Sequence, residues 1–263
     1  MDVRDLVRSH YSGGNLAEAI AAALAAGGVD VEHLTPQDLF PVDQLHAGGK
    51  AAADRVLAQL APGPATRLLD VGCGIGGPSR LAATYDATVT GVDLTPDFVA
   101  AAMELTERVS LADRVRFVTT NGDALPFEPG DFNAAVMIHV GMNVPDKTAL
   151  FADVHRVLEP GARFALYEQM RSGPGELPYP MPWAEDERSS FVESPEEYAA
   201  HLAAAGFTIE LTDDMTESTL GPPPTGPLSP AVIFGQPFVT RIGNNVAATK
   251  GGLLGAVAIV ARA

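Results

Sequence analysis

The run Leu68-Leu69-Asp70-Val71-Gly72-Cys73-Gly74-Ile75-Gly76-Gly77, with Gly91-Val92-Asp93 behind it, constrains this chain more than any other feature. Apolar residues that end in an acid and open into glycines read as a buried strand leaving into a tight loop. Glycine lets backbone approach a ligand closely and adopts φ values closed to other residues. A second apolar run ends in Asp93 about twenty residues later, the separation at which a strand-end carboxylate meets the ribose of a bound nucleoside. The pattern predicts two buried parallel strands with a nucleoside-binding loop between them.

Gly72-x-Gly74-x-x-Gly77 also satisfies the dinucleotide pattern, so the ligand has to be read from what surrounds it. Asp70 stands two residues before the first glycine, and Asn121-Gly122-Asp123-Ala124-Leu125-Pro126-Phe127 follows a third apolar run at 115–118. A carboxylate at Asp70 serves a pyrophosphate poorly. It suits a ligand that carries an ammonium and a sulfonium, because opposite charges attract strongly at a partly desolvated site. S-adenosylmethionine carries both.

At these residues the chain resembles the class I S-adenosylmethionine-dependent methyltransferases, and the resemblance extends over nearly all of it. Arg156-Val157-Leu158-Glu159-Pro160-Gly161-Ala162 is similar to the family's helix, turn and fifth strand, with Ala162 where a second glycine is usual. Asp43-Gln44-Leu45-His46, His139-Val140-Gly141-Met142-Asn143, Pro182-Trp183-Ala184 and Gly206-Phe207 resemble bacterial small-molecule members related to sarcosine and dimethylglycine methyltransferases. The resemblance implies an α/β fold, a Rossmann-like, doubly wound, seven-stranded and mostly parallel sheet with an N-terminal helical lid and substrate cap insertions. The divisions expected are a lid at 1–60, a cofactor-binding core at 61–170, and cap insertions with the last two strands at 171–263.

Composition agrees with one soluble enzyme. The chain has 263 residues, 46% of them hydrophobic, enough for one large α/β domain. Its 17 basic and 33 acidic residues give a net charge of −16, which repels phosphate backbones and anionic membrane surfaces. The expected partner is a small-molecule acceptor, not nucleic acid or membrane. Lysine occurs only at Lys50, Lys147 and Lys250 while Ala, Gly and Pro abound, which suggests a GC-rich bacterial genome. The lone Cys73 cannot form an internal disulfide, and Met1-Asp2-Val3-Arg4-Asp5 shows no apolar signal core. The longest apolar stretch, 253–261, is far short of the roughly twenty residues a bilayer requires. A cytoplasmic enzyme, plausible in specialised metabolism, is the expectation.

Along the chain, helices are predicted at 16–26 and 48–60, with no more than a turn of helix in Thr35-Pro36-Gln37-Asp38 before Pro41 stops it. Strands are expected near 67–71, 88–92, 115–119, 132–138 and 162–168, covered by helices on both faces. Thr95-Pro96-Asp97 caps a helix running to about Val109, and Ser194-Pro195-Glu196-Glu197 caps another that ends before Gly206. The runs 207–211 and 253–261 supply an antiparallel pair at the sheet edge. Two proline-rich insertions, 173–183 and 221–237, read as parts of a cap over the acceptor.

The resemblance assigns provisional roles. Asp70 is expected to face the methionine portion of S-adenosylmethionine, Gly72 and Gly74 to permit close approach, and Asp93 to accept from the ribose hydroxyls. Leu94 would pack on adenine, Asp123 would take its amino group with Ala124 alongside, and Tyr11 would close over the cofactor or serve helix packing. Methyl transfer needs alignment and, for some acceptors, removal of a proton. His139 at the end of one strand is the candidate base and cofactor contact, with Glu168 at the end of the next strand as its partner. A purely positioning role for His139 is the alternative. His46, Tyr179 and Trp183 are candidates for the acceptor side, Trp183 as a cation–π wall or simply as core. The six dispersed histidines form no metal motif. A non-methylating cyclase or isomerase that retains the cofactor, or a module that senses it, are the other functions the same scaffold permits.

Overall fold

A computed structural model describes residues 16–122, 124–221, 228 and 235–263. Its described elements run α1 (Leu16–Ala26), α2 (Pro36–Asp43), α3 (Gly49–Ala58), β1 (Arg67–Val71), α4 (Gly77–Ala83), β2 (Thr88–Asp93) and α5 (Pro96–Arg108). There follow β3 (Val115–Thr119), β4 (Phe132–Ile138), α6 (Lys147–Val157), β5 (Leu158–Arg171), α7 (Pro195–Ala204), β6 (Thr208–Asp214), α8 (Thr216–Thr219), α9 (Gln236–Lys250) and β7 (Leu254–Arg262). The seven strands form one sheet in the order β3-β2-β1-β4-β5-β7-β6. Neighbours from β3 to β5 pair in parallel, and β7 runs antiparallel to both β5 and β6.

The two faces of this sheet follow from the period-2 alternation of strand side chains. Leu68, Ala134, Val136, Ala165 and Tyr167 point to one face, where they pack with Val56 of α3 and Leu81 of α4. Leu69, Ala135, Met137, Phe164 and Leu166 point to the other, against Phe151 and Val154 of α6 and Tyr198 and Leu202 of α7. Strands buried on both faces read as continuous apolar runs, as parallel sheets require. β7 is buried along nearly its whole length because it lies inside the sheet, whereas β6 forms the exposed edge. The pair expected at the edge thus contributes one interior strand and one edge strand.

α1 packs on α5 through Ile20, Leu24, Phe98, Ala101 and Leu105, with Leu39 and Val42 of α2 in the same cluster. The helix α2 is longer than the single turn expected from its prolines. Pro36 occupies the first turn, where the missing N–H has no helical partner anyway, and Thr35 and Asp38 close a reciprocal cap (Thr35 N to Asp38 Oδ2, 2.8 Å). Pro41 sits near the end of an eight-residue helix, so little of the hydrogen-bond ladder is forfeited. The cap of α7 is formed as its sequence indicates, with Ser194 N donating to Glu197 Oε2 at 2.7 Å and Glu197 N to Ser194 Oγ at 3.2 Å. Among the described residues, no helix is long and apolar enough to cross a membrane.

Candidate active site at the carboxyl ends of the strands

Strand order reverses between β1 and β4, and ligands of open α/β sheets bind in the crevice outside the carboxyl ends of strands at such a point. A cleft opens there, lined by the glycine loop, Asp93, Leu94, Thr95 and Phe98 from the β2 side, and Ile138, His139, Val140, Asn143 and Val144 from the β4 side. Asp43, Leu45 and His46 close it from the N-terminal layer.

The glycine loop is shaped by what crosses it. Gly72 has φ +71°, and a Cβ there would stand 2.3 Å from Val140 Cγ2, so the turn after β4 lies directly against it. Gly74 has φ +53°, and a Cβ there would meet nothing within 4 Å, because its outer side faces the open cleft. Gly74 N donates to Asp93 Oδ2 at 2.9 Å, while Thr95 N donates to Asp93 Oδ1 at 2.8 Å. Asp93 therefore ties the loop to the start of α5. Each carboxylate oxygen retains acceptor capacity toward the cleft. Burial pushes this carboxyl up from its ordinary value, against the pull of these N–H groups.

Asp70 does not line the cleft. It is 1% exposed and accepts a 2.5 Å hydrogen bond from Ser79 Oγ of α4, and burial pushes its carboxyl up to about 7. The expected contact with a methionine portion is corrected here: alternation along β1 sends this side chain under α4. Beside it runs a buried ion pair that sequence reading missed. Arg80 Nη2 meets Asp43 Oδ2 at 2.9 Å with both side chains wholly buried, and the same guanidinium donates to Ile75 O at 2.8 Å and Thr106 Oγ1 at 3.1 Å. A Cβ at Gly77 would stand 2.2 Å from Asp43 O, so the end of α2 presses on the start of α4. Arg80 thus joins the N-terminal layer, the glycine loop and α5.

His139 follows β4 in the left-handed region, at φ +56°, which is uncommon outside glycine and costs free energy that its surroundings must offset. Its N donates to Tyr167 O at 2.8 Å. Its ring lies 5.0 Å from that of Tyr167 and 5.8 Å from that of His46, centroid to centroid. Among the described residues, His139 Nε2 is buried with no hydrogen-bond partner, and burial, with His46 beside it, holds the imidazole well below its ordinary pKa. The ring is therefore neutral at neutral pH. His46 places Nδ1 3.1 Å from Ala47 O and Nε2 3.2 Å from Gln44 Oε1, and burial pushes it down to about 4.

Glu168 does not touch the imidazole. Its carboxylate is fully buried and accepts from Val140 N (3.1 and 3.0 Å) and Gly141 N (3.0 Å), and burial pushes it up to about 8 against those donors and Lys147. The expected pairing with His139 fails because His139 turns out of the sheet and leaves the next two N–H groups, not its ring, facing the acid.

Trp183 is 3% exposed, donates from Nε1 to Ser190 Oγ at 2.9 Å, and packs with Met142, Leu177, Met181 and Leu254. Tyr179 packs at the margin of the same cluster. Neither lines the cleft, so the acceptor-side expectation for these two is replaced by packing. The lone tryptophan, with the largest apolar surface to bury, serves as core of the 177–192 segment. That segment is tied to the cleft wall by Asn143, whose Nδ2 donates to Trp183 O at 2.9 Å. Leu94, Gly72, Gly74, Asp93, His46 and His139 are brought together as expected, whereas Ala124 is exposed and outside the lining. Tyr11 and Asp123 lie outside the described residues.

The cleft residues that sequence reading missed, among them Asp43, Ile75, Thr95, Phe98, Asn143 and Val144, lie near the motif residues in the chain; the signal was adjacency to them. Among the described residues, no lysine or arginine lines the cleft and no group of three or more His, Cys, Asp or Glu is placed to hold a metal ion. Carboxylates, neutral imidazoles, apolar walls and an open-faced glycine fit an adenosine carrying a positive sulfur. They fit a pyrophosphate badly.

The comparisons agree. Residues 69–166 match the family described as Methyltransferase domain. That match spans the glycine loop, Asp93 and His139. A curated relative, Methyltransferase phqN of Penicillium fellutanum, is 36% identical over 103 residues, which is 39% of this chain and 32% of that protein. The chain spans about a third of the length of the curated relatives it matches. Among solved structures, geranyl diphosphate C-methyltransferase from Streptomyces coelicolor A3(2) superposes with a TM-score of 0.71 at 21% identity, covering 100% of this chain and 98% of that one. The [4+2]-cyclase SpnF superposes with a TM-score of 0.67 at 20% identity, covering 100% and 97%. These likenesses establish the fold, and since methyltransferases and a cyclase share it, the chemistry has to be argued from the site.

Proposed function

We propose that this protein transfers a methyl group from S-adenosylmethionine to a small-molecule acceptor, as a cytoplasmic enzyme of bacterial specialised metabolism. The observation that carries the reading is the meeting of the open face of Gly74, the Asp93 carboxylate and the neutral His139 in one cleft. When bound, the cofactor supplies an activated methyl carbon. Asp93 would accept hydrogen bonds from its ribose hydroxyls and Leu94 would pack on its adenine, while Gly72 and Gly74 let backbone come close. The roles of Tyr11, Asp123 and Ala124 toward the same cofactor rest on the resemblance alone.

His139, whose Nε2 is left without a partner among the described residues at the edge of the cleft, would take a proton from the acceptor as the methyl group passes from the sulfur to it. His46, across the cleft from it, would face the acceptor. The net charge of −16 supports a partner other than nucleic acid or an anionic membrane surface.

The test is incubation with methyl-labelled S-adenosylmethionine and a panel of acceptors that includes sterols, isoprenoid diphosphates, quinols and amino acids. Label transferred in proportion to S-adenosylhomocysteine released is the expected result. Product formed without consumption of the cofactor would replace this reading by cyclisation or rearrangement, and failure to bind S-adenosylmethionine would end it.

A further inference from the structure

The parallel ladder between β4 and β5 closes with His139 N donating to Tyr167 O at 2.8 Å. There His139 enters the left-handed region, and the chain leaves the sheet. Its next two N–H groups, on Val140 and Gly141, would lose their partners inside the protein. Both are instead taken up by the carboxylate of Glu168, the residue that follows Tyr167 on β5. An orphaned backbone donor at a buried position costs the desolvation of that group, a cost these hydrogen bonds avoid. A side chain here replaces a strand.

What this turn touches gives it consequence. Val140 lies against the glycine loop so closely that a Cβ on Gly72 would stand 2.3 Å from it. On the other side, a Cβ on Gly141 would stand 2.3 Å from Tyr198 Oη of α7, so the turn fits only with glycine at that position. At its start stands the imidazole that faces the cleft. Lys147 reinforces the arrangement from α6, its Nζ bonded to Val144 O at 3.1 Å and Phe191 O at 2.7 Å near the same carboxylate.

We propose that Glu168 is a positioning residue: its carboxylate offsets the left-handed strain at His139 by capturing Val140 N and Gly141 N, and so sets the direction of the imidazole and the contact of Val140 with the cofactor loop. Glu168 works through the backbone of its neighbour and touches neither cofactor nor acceptor. The proposal rests on the methyl-transfer reading for what His139 does, but not for how His139 is held.

Side-chain imidazole NMR of the full chain tests it, because six histidines give few signals and His139→Ala assigns the one in question. In Glu168→Met, which keeps the length and leaves Val140 N and Gly141 N without this acceptor, the His139 ring signal should move and its titration midpoint should rise toward the ordinary histidine value of about 6.5. A ring signal and midpoint identical to those of the wild-type protein would overturn the proposal. Stability measurements on His139→Gly supply a second arm, since glycine adopts a positive φ without penalty. The double variant should recover a large part of the stability lost in Glu168→Met, even where that single variant does not fold, and strictly additive effects or a double variant as unstable as Glu168→Met would overturn the proposal. Calorimetry with S-adenosylmethionine on the wild-type protein runs alongside. Absence of binding there defeats the methyl-transfer reading and leaves the NMR result to judge Glu168 separately.

Discussion

Replacing Asp70 by Asn should make the protein less sensitive to alkaline pH. Asp70 is 1% exposed, and burial pushes its carboxyl from 3.8 up to about 7 despite the hydrogen bond from Ser79. A carboxyl whose pKa is raised on folding binds a proton more tightly in the native than in the unfolded state. Its contribution to stability is therefore complete below the unfolded value and is lost as pH rises through the folded one. Between about pH 5.5 and 7 the native protein holds one proton here that the unfolded chain does not, which at about 1.36 kcal/mol per pH unit amounts to roughly 2 kcal/mol. Asn is nearly isosteric, can still bond Ser79, and does not titrate.

The stability difference between Asp70→Asn and the wild-type protein should consequently shift in the variant's favour by roughly 2 kcal/mol between about pH 5.5 and 8.5, or roughly 4–8 °C in Tm for a chain of this size. Comparing the change across pH, not the value at one pH, cancels any steric cost of the substitution. Urea titrations or thermal melts at the two pH values measure it. Parallel pH dependences for the two proteins would refute the argument, since they would mean that Asp70 is ionised in the native state throughout.

Asp93→Ala should weaken S-adenosylmethionine binding by about 2–4 kcal/mol, because hydrogen bonds to the carboxyl oxygens are lost along with the tie to Gly74 N; calorimetry showing unchanged affinity would remove the ribose assignment. His139→Ala should lower the single-turnover rate by about 100-fold or more if the imidazole takes the proton, with cofactor binding retained; an intact rate leaves it a positioning group. Arg80→Met should cost about 3–5 kcal/mol, seen as a large drop in urea midpoint, because it leaves the Asp43 carboxylate buried without its partner. A much smaller loss at neutral pH would indicate that Asp43 simply takes up a proton.

Legibility followed the range of the interactions. The limits of β1, β3 and β4 and the cap of α7 agree with expectation because local alternation, prolines and capping residues carry them. α2 outran its expected single turn because the stabilising cap at Thr35 outweighs a proline placed where few bonds depend on it. Gly72, Gly74, Asp93, Leu94 and His139 were legible as cleft residues since each sits at a strand end, and parallel strands present their carboxyl ends to one crevice. Trp183 and Tyr179 were not, because a proline-rich loop does not reveal which way it folds back.

The amino-acid order alone determined the alternation of strands and helices, the glycine loop and the acidic strand ends, since these depend on spacing within a few turns of chain. Only the tertiary structure decided that Asp70 bonds Ser79, that Glu168 caps a turn instead of an imidazole, and that Asp43 and Arg80 meet in the core. Those partners lie between 9 and 37 residues apart, and the direction of one φ at His139 is enough to exchange one donor for another. Such choices are made by packing across the sheet, where the penalty for an unpaired buried group exceeds any local preference.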